Sequence, residues 1–233
     1  MAKKIVAAKQ LSSNKKEVQT IATLSSSIAH ELKNYLAAIN ICAELSEGKL
    51  RDIRKKVKAA DYLIGNLQLQ IKGVVTGKPS KESFKMCLIT ENVKEALDQY
   101  PFKENERELI TTGVIEDFKY EGNHSLTIHI LYNLIRNSLR AITNTDKGKI
   151  TIKTEVGEKY NKLIFRDTAS GISKDFLPNV FKLFESQMLN QGGTGVGLAY
   201  CKEIMQSYGG DITCASVEGE YTEFVLSFPS LLP

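Results

Sequence analysis

Cysteine is scarce in this chain: Cys42, Cys87, Cys201 and Cys214 are the only four, widely separated in 233 residues. No two form a Cys-x-x-Cys pair and no histidine stands beside one at metal-ligand spacing, which argues against a zinc site and leaves reduced, structural thiols. Apolar runs are short as well. None approaches the ~20 residues that span a bilayer, and the lysine-rich start Met1-Ala2-Lys3-Lys4 is not followed by a signal-peptide core, so a chain without a membrane segment, working in the cytoplasm, is expected. Charge of one sign is lacking too: 31 basic and 27 acidic side chains are interspersed for a net +4, which provides no dedicated nucleic-acid surface. There is no internal repeat and no low-complexity tract. What the chain does have is a hydrophobic content of 42%, enough for packed cores, and a length that suits two domains of ordinary size.

The first domain is legible in its periodicity. Val18, Ile21, Ser25, Ile28, Leu32, Tyr35, Ile39 and Cys42 recur at alternating three- and four-residue steps, and after Glu47-Gly48-Lys49 a second series runs through Ile53, Val57, Ala60, Ile64, Leu67, Ile71 and Val74. This predicts a helical hairpin with one narrow apolar seam on each helix. Such seams are covered best by a second copy, so a homodimer built on a four-helix bundle is expected. Thr76-Gly77-Lys78-Pro79-Ser80 carries linker punctuation, dividing the chain into a domain over 1–76, a linker over 77–80 and a second domain over 81–233. Beyond the linker, strand-like runs (Phe84 to Ile89, Lys149 to Glu155, Lys162 to Arg166, Asp211 to Ala215, Glu223 to Phe228) alternate with helical stretches near Glu91 to Tyr100, His124 to Ile142 and Gly195 to Tyr208. The mixture predicts an α+β fold, an α/β sandwich with one sheet covered by helices.

Within the hairpin, His30 falls two residues after a seam position and therefore points away from the bundle axis. A neutral imidazole is a competent nucleophile near its ordinary pKa of about 6.5, and an adjacent carboxylate, Glu31, is placed to hold the ring and accept its proton. Asn34 lies one turn on and on the same face, where its amide is suited to holding a water.

In the second domain, Asn133 and Asn137 share a helix face with Arg136 and Arg140 nearby, an arrangement that offers a metal ligand and positive charge together. The glycines at 192, 193, 195 and 197 let backbone N–H groups approach phosphate oxygens at a helix start. They follow neither the Gly-x-Gly-x-x-Gly pattern nor a P-loop.

Taken in order, Ala29-His30-Glu31-Leu32-Lys33-Asn34, Asn133-Leu134-Ile135-Arg136-Asn137-Ser138, Asp167-Thr168-Ala169-Ser170-Gly171-Ile172 and Gly192-Gly193-Thr194-Gly195-Val196-Gly197-Leu198 resemble the motifs of a two-component sensor histidine kinase core. The resemblance runs from about Val18 to Phe228. It implies a Bergerat-type ATP-binding domain behind a phosphoacceptor hairpin. It also implies autophosphorylation of His30 from ATP and transfer to an aspartate of a response regulator in trans, with dephosphorylation of that regulator through Asn34. By the same resemblance Asn137 is expected on Mg²⁺ with Asn133 in support, Arg140 near the phosphates, and Asp167 on the adenine amino group. Gly171, Gly193, Thr194, Gly195, Gly197 and Leu198 are expected around the nucleotide. The chain would then be a cytoplasmic kinase or the cytosolic part of a membrane-associated sensor. Val180-Phe181-Lys182-Leu183-Phe184 resembles the family's F-box, although Phe181 and Phe184 serve equally well as core residues. The polar stretch between it and Gly193 suits a lid.

Two positions depart from the family pattern. Tyr35 stands where proline is usual, which predicts a less bent helix after the acceptor. Ala169 replaces the first glycine of Asp-x-Gly-x-Gly, which predicts a poorly tolerated backbone and weakened nucleotide binding. Two other functions compete with a kinase: a hydrolysing ATPase of the same superfamily, which would need a glutamate base where Asn133 stands, and a catalytically weak dimeric scaffold.

Overall fold

The computed structural model describes residues 84–114, 116–182, 185, 195 and 197–231. The hairpin expected over 1–76, with His30, Glu31 and Asn34, lies outside the described residues. So do the linker, the lid stretch apart from residue 185, and the Gly193-Thr194 portion of the glycine loop.

The described chain begins with strand β1 (Lys85–Leu88) and helix α1 (Ile89–Gln99). Strands β2 (Ile110–Thr112) and β3 (Lys119–Gly122) follow, and then helix α2 (His124–Thr145). Strands β4 (Ile150–Glu155) and β5 (Tyr160–Asp167) lead to helix α3 (Gly197–Ser207) and the closing hairpin of β6 (Asp211–Val217) and β7 (Tyr221–Pro229). The expected α+β mixture is present, but the single sheet is not. Five strands form a mixed sheet in the order β2-β4-β5-β7-β6, in which only β2 runs parallel to its neighbour, and β1 pairs with β3 in a separate antiparallel ribbon. The ribbon escapes the sequence pattern because β3 has one large apolar residue, Tyr120, between two charged ones.

Alternation does the rest. Along β7, Thr222, Phe224, Leu226 and Phe228 are buried while their neighbours are only half so. On β5, Leu163 and Phe165 are fully buried beside Ile150 and Ile152 of β4. These side chains make the face on which the helices lie. Helix α2 is the central one. Leu126, Ile128, Ile130, Leu131, Leu134 and Ile135 are all buried, as are Thr127, His129 and Asn133 between them, so the helix is enclosed nearly all round, with α1 and α3 packed against it. The Asn123 side chain opens α2 by accepting the Leu126 N–H at 3.1 Å. The helix closes at Asp146, which takes a left-handed φ of 51° and returns its N–H to the Ile142 carbonyl. It runs three residues past Ile142 because no glycine or proline intervenes before Gly148.

One polar cluster ties the ribbon to the helices. The buried Tyr120 hydroxyl donates to Asn92 Oδ1 at 2.8 Å and sits 2.7 Å from Thr127 Oγ1. Asn92 in turn donates to the His124 carbonyl at 3.0 Å. Burial pushes the Tyr120 phenol well above its usual range, so it acts only as a neutral hydroxyl. Tyr120→Phe leaves the Asn92 oxygen stranded in the core and is expected to cost about 1–3 kcal/mol. The measurement is a lower denaturant midpoint with an unchanged slope; an unmoved midpoint contradicts the assignment.

Candidate functional site

Past its apolar turns, α2 turns a polar stripe outward. Arg136, Asn137 and Arg140 are half-buried along it and line a cavity of about 360 Å³, a volume within the range of small-molecule sites. Asp167, Gly171 and Ile172 come to the same cavity from the end of β5 and the turn after it. Gly195, Gly197 and Leu198 come from the start of α3, and Thr222 and Phe224 from β7. The cavity therefore gathers every described residue expected around the nucleotide except Asn133, which does not line it.

Asp167 is 2% exposed. As the last residue of β5 it is held in register between Ile150 of β4 and Thr222 of β7. Ser138 Oγ donates to its Oδ2 at 2.5 Å and the Ala169 N–H to its Oδ1 at 3.2 Å. Burial raises its pKa, and the Ser138 and Ala169 hydrogen bonds pull it part of the way back. A carboxylate held in this way accepts hydrogen bonds and cannot donate them, so it selects a ligand with a donor at that point.

Arg136 and Arg140 bring positive charge to the same lining. Arg136 Nη2 donates to Asn133 Oδ1 at 3.0 Å. Asn133, itself buried, directs its amide at the His129 ring nitrogen (2.8 Å) and at the His129 carbonyl (3.1 Å). Burial, and then the Arg136 charge, push the His129 pKa down to about 3, so it is a neutral acceptor.

The glycines have specific reasons. Gly171 has φ +63°, and a Cβ there would be driven into the Val217 carbonyl. Gly195 has φ 64°. At Gly197 a Cβ would come within 2.6 Å of Asn133 Oδ1, so the start of α3 approaches the α2 stripe only because residue 197 has no side chain. Ala169 corrects an expectation. Among the described residues only Asn105 and Asp146 combine a side chain with positive φ, so position 169 makes no demand for glycine. Its methyl is fully buried and lies outside the cavity lining, and its N–H serves Asp167.

Phe181 packs edge-on to Phe224 at 6.4 Å, with the Lys202 ammonium 5.2 Å from its ring centroid, which places it against the cavity wall. Phe184 lies outside the described residues. The residue that sequence reasoning left without a role is Ser138. Its only sequence signal is its place beside Asn137, whereas its contact with Asp167 is made 29 positions away through the fold. Among the described residues no three His, Cys, Asp or Glu side chains gather to hold a metal. A cation here would rely on the Asn137 carbonyl and on the oxygens of a bound anion. No described helix is long and apolar enough to cross a membrane.

Two outcomes follow. Gly171→Ala is expected to destabilise the fold by several kcal/mol through clash and strain, whereas Ala169→Gly yields no stability; a gain from the latter contradicts the backbone reading. His129 gives a pH dependence of known sign. Below its ordinary pKa of 6.5 the unfolded chain takes up a proton that the folded one refuses until about pH 3, so stability falls with pH across that window, by up to about 1.4 kcal/mol per unit. Asp167 acts in the opposite sense, because its raised pKa favours protonation in the fold. Denaturation curves of the chain and of His129→Gln should therefore diverge only below about pH 6.5; parallel curves contradict the buried neutral ring.

Residues 122–232 match the family described as histidine kinase-, DNA gyrase B-, and HSP90-like ATPase. The chain is 34% identical over 218 residues, 88% of its own length, to the autoinducer 1 sensor kinase/phosphatase LuxN of Vibrio campbellii. It is 27% identical over 240 residues, 93% of its length, to the CAI-1 autoinducer sensor kinase/phosphatase CqsS of Vibrio cholerae. It spans 25% of the first relative and 34% of the second. In fold it is similar to the histidine kinase AdeS of Acinetobacter baumannii, with TM-score 0.55, 17% identity and coverage of 87% of this chain and 98% of that one. It is also similar to the catalytic domain of histidine kinase ThkA, with TM-score 0.53, 22% identity and coverage of 63% and 97%. The chain carries the catalytic core of a sensor histidine kinase, with an ATPase-type domain of the histidine kinase, gyrase B and HSP90 family over residues 122–232.

Proposed function

We propose that this chain autophosphorylates on His30 from ATP, passes the phosphoryl group to an aspartate of a response regulator receiver domain in trans, and also dephosphorylates that regulator. It would do so as a homodimer joined through the helices of residues 1–76, as a cytoplasmic kinase or as the cytosolic part of a membrane-associated sensor. The observation that carries this reading is the polar lining of one cavity. An acceptor-only carboxylate, Asp167, lines it together with Arg136, Asn137, Arg140 and the glycines of α3.

Adenine offers a donor where guanine offers a carbonyl, so Asp167 discriminates between them. Arg140 and Arg136 offset phosphate charge, and Gly195 and Gly197, with Gly193 and Thr194, let the backbone come close. Leu198 lines the same cavity. Mg²⁺, when bound, would neutralise charge on the phosphates, with the Asn137 carbonyl as the protein's ligand and Asn133 behind it. Within the hairpin, a nitrogen of His30 would attack the γ-phosphorus in line. An N–P bond forms, the bond from phosphorus to the bridging oxygen breaks, ADP leaves, and Glu31 accepts the imidazole proton. Asn34 would orient a water for the reverse task on the regulator. Hydrolysis in the cavity itself is disfavoured because Asn133 turns its N–H₂ toward His129 and an amide takes no proton from water.

Incubation with γ-labelled ATP and Mg²⁺ is expected to place acid-labile, alkali-stable label on the protein, lost in His30→Gln. Label retained by that variant would move the acceptor elsewhere, free phosphate alone would make the chain an ATPase, and neither would make it a weak scaffold.

A further inference from the structure

We propose that His129 is a positioning residue for Arg136 in the cavity lining: its ring holds the Asn133 carboxamide in one orientation, and that carboxamide holds Arg136. The inference rests on the nucleotide reading above and adds a residue to it that touches no ligand.

The orientation follows from donor and acceptor roles alone. A guanidinium only donates, so the Asn133 atom 3.0 Å from Arg136 Nη2 is the oxygen. The amide nitrogen then faces the other way, 2.8 Å from His129 Nε2 and 3.1 Å from the His129 carbonyl. That nitrogen also only donates, so Nε2 must present its lone pair and the ring proton sits on Nδ1. His129 is 3% and Asn133 4% exposed, which leaves little room for water to replace either bond.

The three residues sit at i, i+4 and i+7 on α2, so the relay is internal to one helix and aligned on one face. The Asn133 oxygen serves a second purpose, since it faces the point where a Cβ of Gly197 would stand, 2.6 Å away. Arg136 Nη2 lies 3.6 Å from that same point. The relay therefore ends where α3 begins, beside Gly197. Tyr200 meets the ring edge-on at 5.6 Å, a contact an apolar side chain would satisfy as well. Without the ring acceptor the carboxamide nitrogen keeps only the His129 carbonyl. Turned over, it sets N–H₂ against the guanidinium, and Arg136 loses the Asn133 oxygen. The loss falls on phosphate-bearing ligands and spares the base.

The test compares affinities of the full chain for ATP and for adenosine in His129→Met, which keeps bulk but offers no comparable acceptor, and His129→Gln, whose carbonyl accepts from Asn133. Methionine is expected to weaken ATP by about tenfold and leave adenosine unmoved, with glutamine restoring ATP. Should methionine prevent folding, His129→Ala supplies the same ratio. Equal loss of both ligands, or no loss, overturns the relay while leaving the nucleotide site standing. A wild-type chain that binds neither ligand defeats the nucleotide reading instead. In the ligand-free protein, ¹⁵N shifts of the imidazole should show a lone pair on Nε2 and a proton on Nδ1; the opposite tautomer also overturns the relay.

Discussion

The domain is organised around a carboxylate it can hardly afford to bury. Asp167 lies under α2 at 2% exposure, where an ionised group without partners would cost several kcal/mol. It is tolerated because the fold supplies donors from two directions, the Ser138 hydroxyl from the helix above and the Ala169 N–H from its own turn. Its position is fixed by cross-strand register on both sides. The turn at Gly171, the placement of α2 on the sheet and the opening of the cavity all follow from bringing those donors to one point.

The same helix that supplies Ser138 to Asp167 carries Arg136, Asn137 and Arg140 to the cavity. One element therefore presents both the support of the acidic group and the basic groups. Arg136 is itself supported from within. His129 is kept neutral by burial, Asn133 is spent on its neighbours, and Gly197 is bare so that α3 can close on them. Fixing such groups in advance saves the ordering cost at the moment of binding.

Much of this was legible before any coordinates. The strands β1, β4, β5, β6 and β7 and the helix α2 follow from period and composition, and most of the described residues expected around the nucleotide line one cavity. What stayed hidden was set by contacts distant in sequence. Strand β3 has too few apolar residues to announce itself, so its ribbon with β1 went unread, and Ser138 acquires its role only when β5 passes beneath it. Asn133 reads as one more polar residue on the stripe, yet its neighbours at 129 and 136 turn it away from the cavity. Ala169 reads as a defect because glycine was judged by its φ, whereas the backbone there is ordinary and the amide is the useful part.

The most direct test of the central claim, that a buried acceptor selects the ligand of this cavity, is calorimetric titration of the full chain with ATP and with GTP under matched Mg²⁺. The account predicts saturable binding of ATP and affinity for GTP at least about a hundredfold weaker, because a guanine carbonyl would face the Asp167 carboxylate. Equal affinity for the two, or heat from neither, would contradict it.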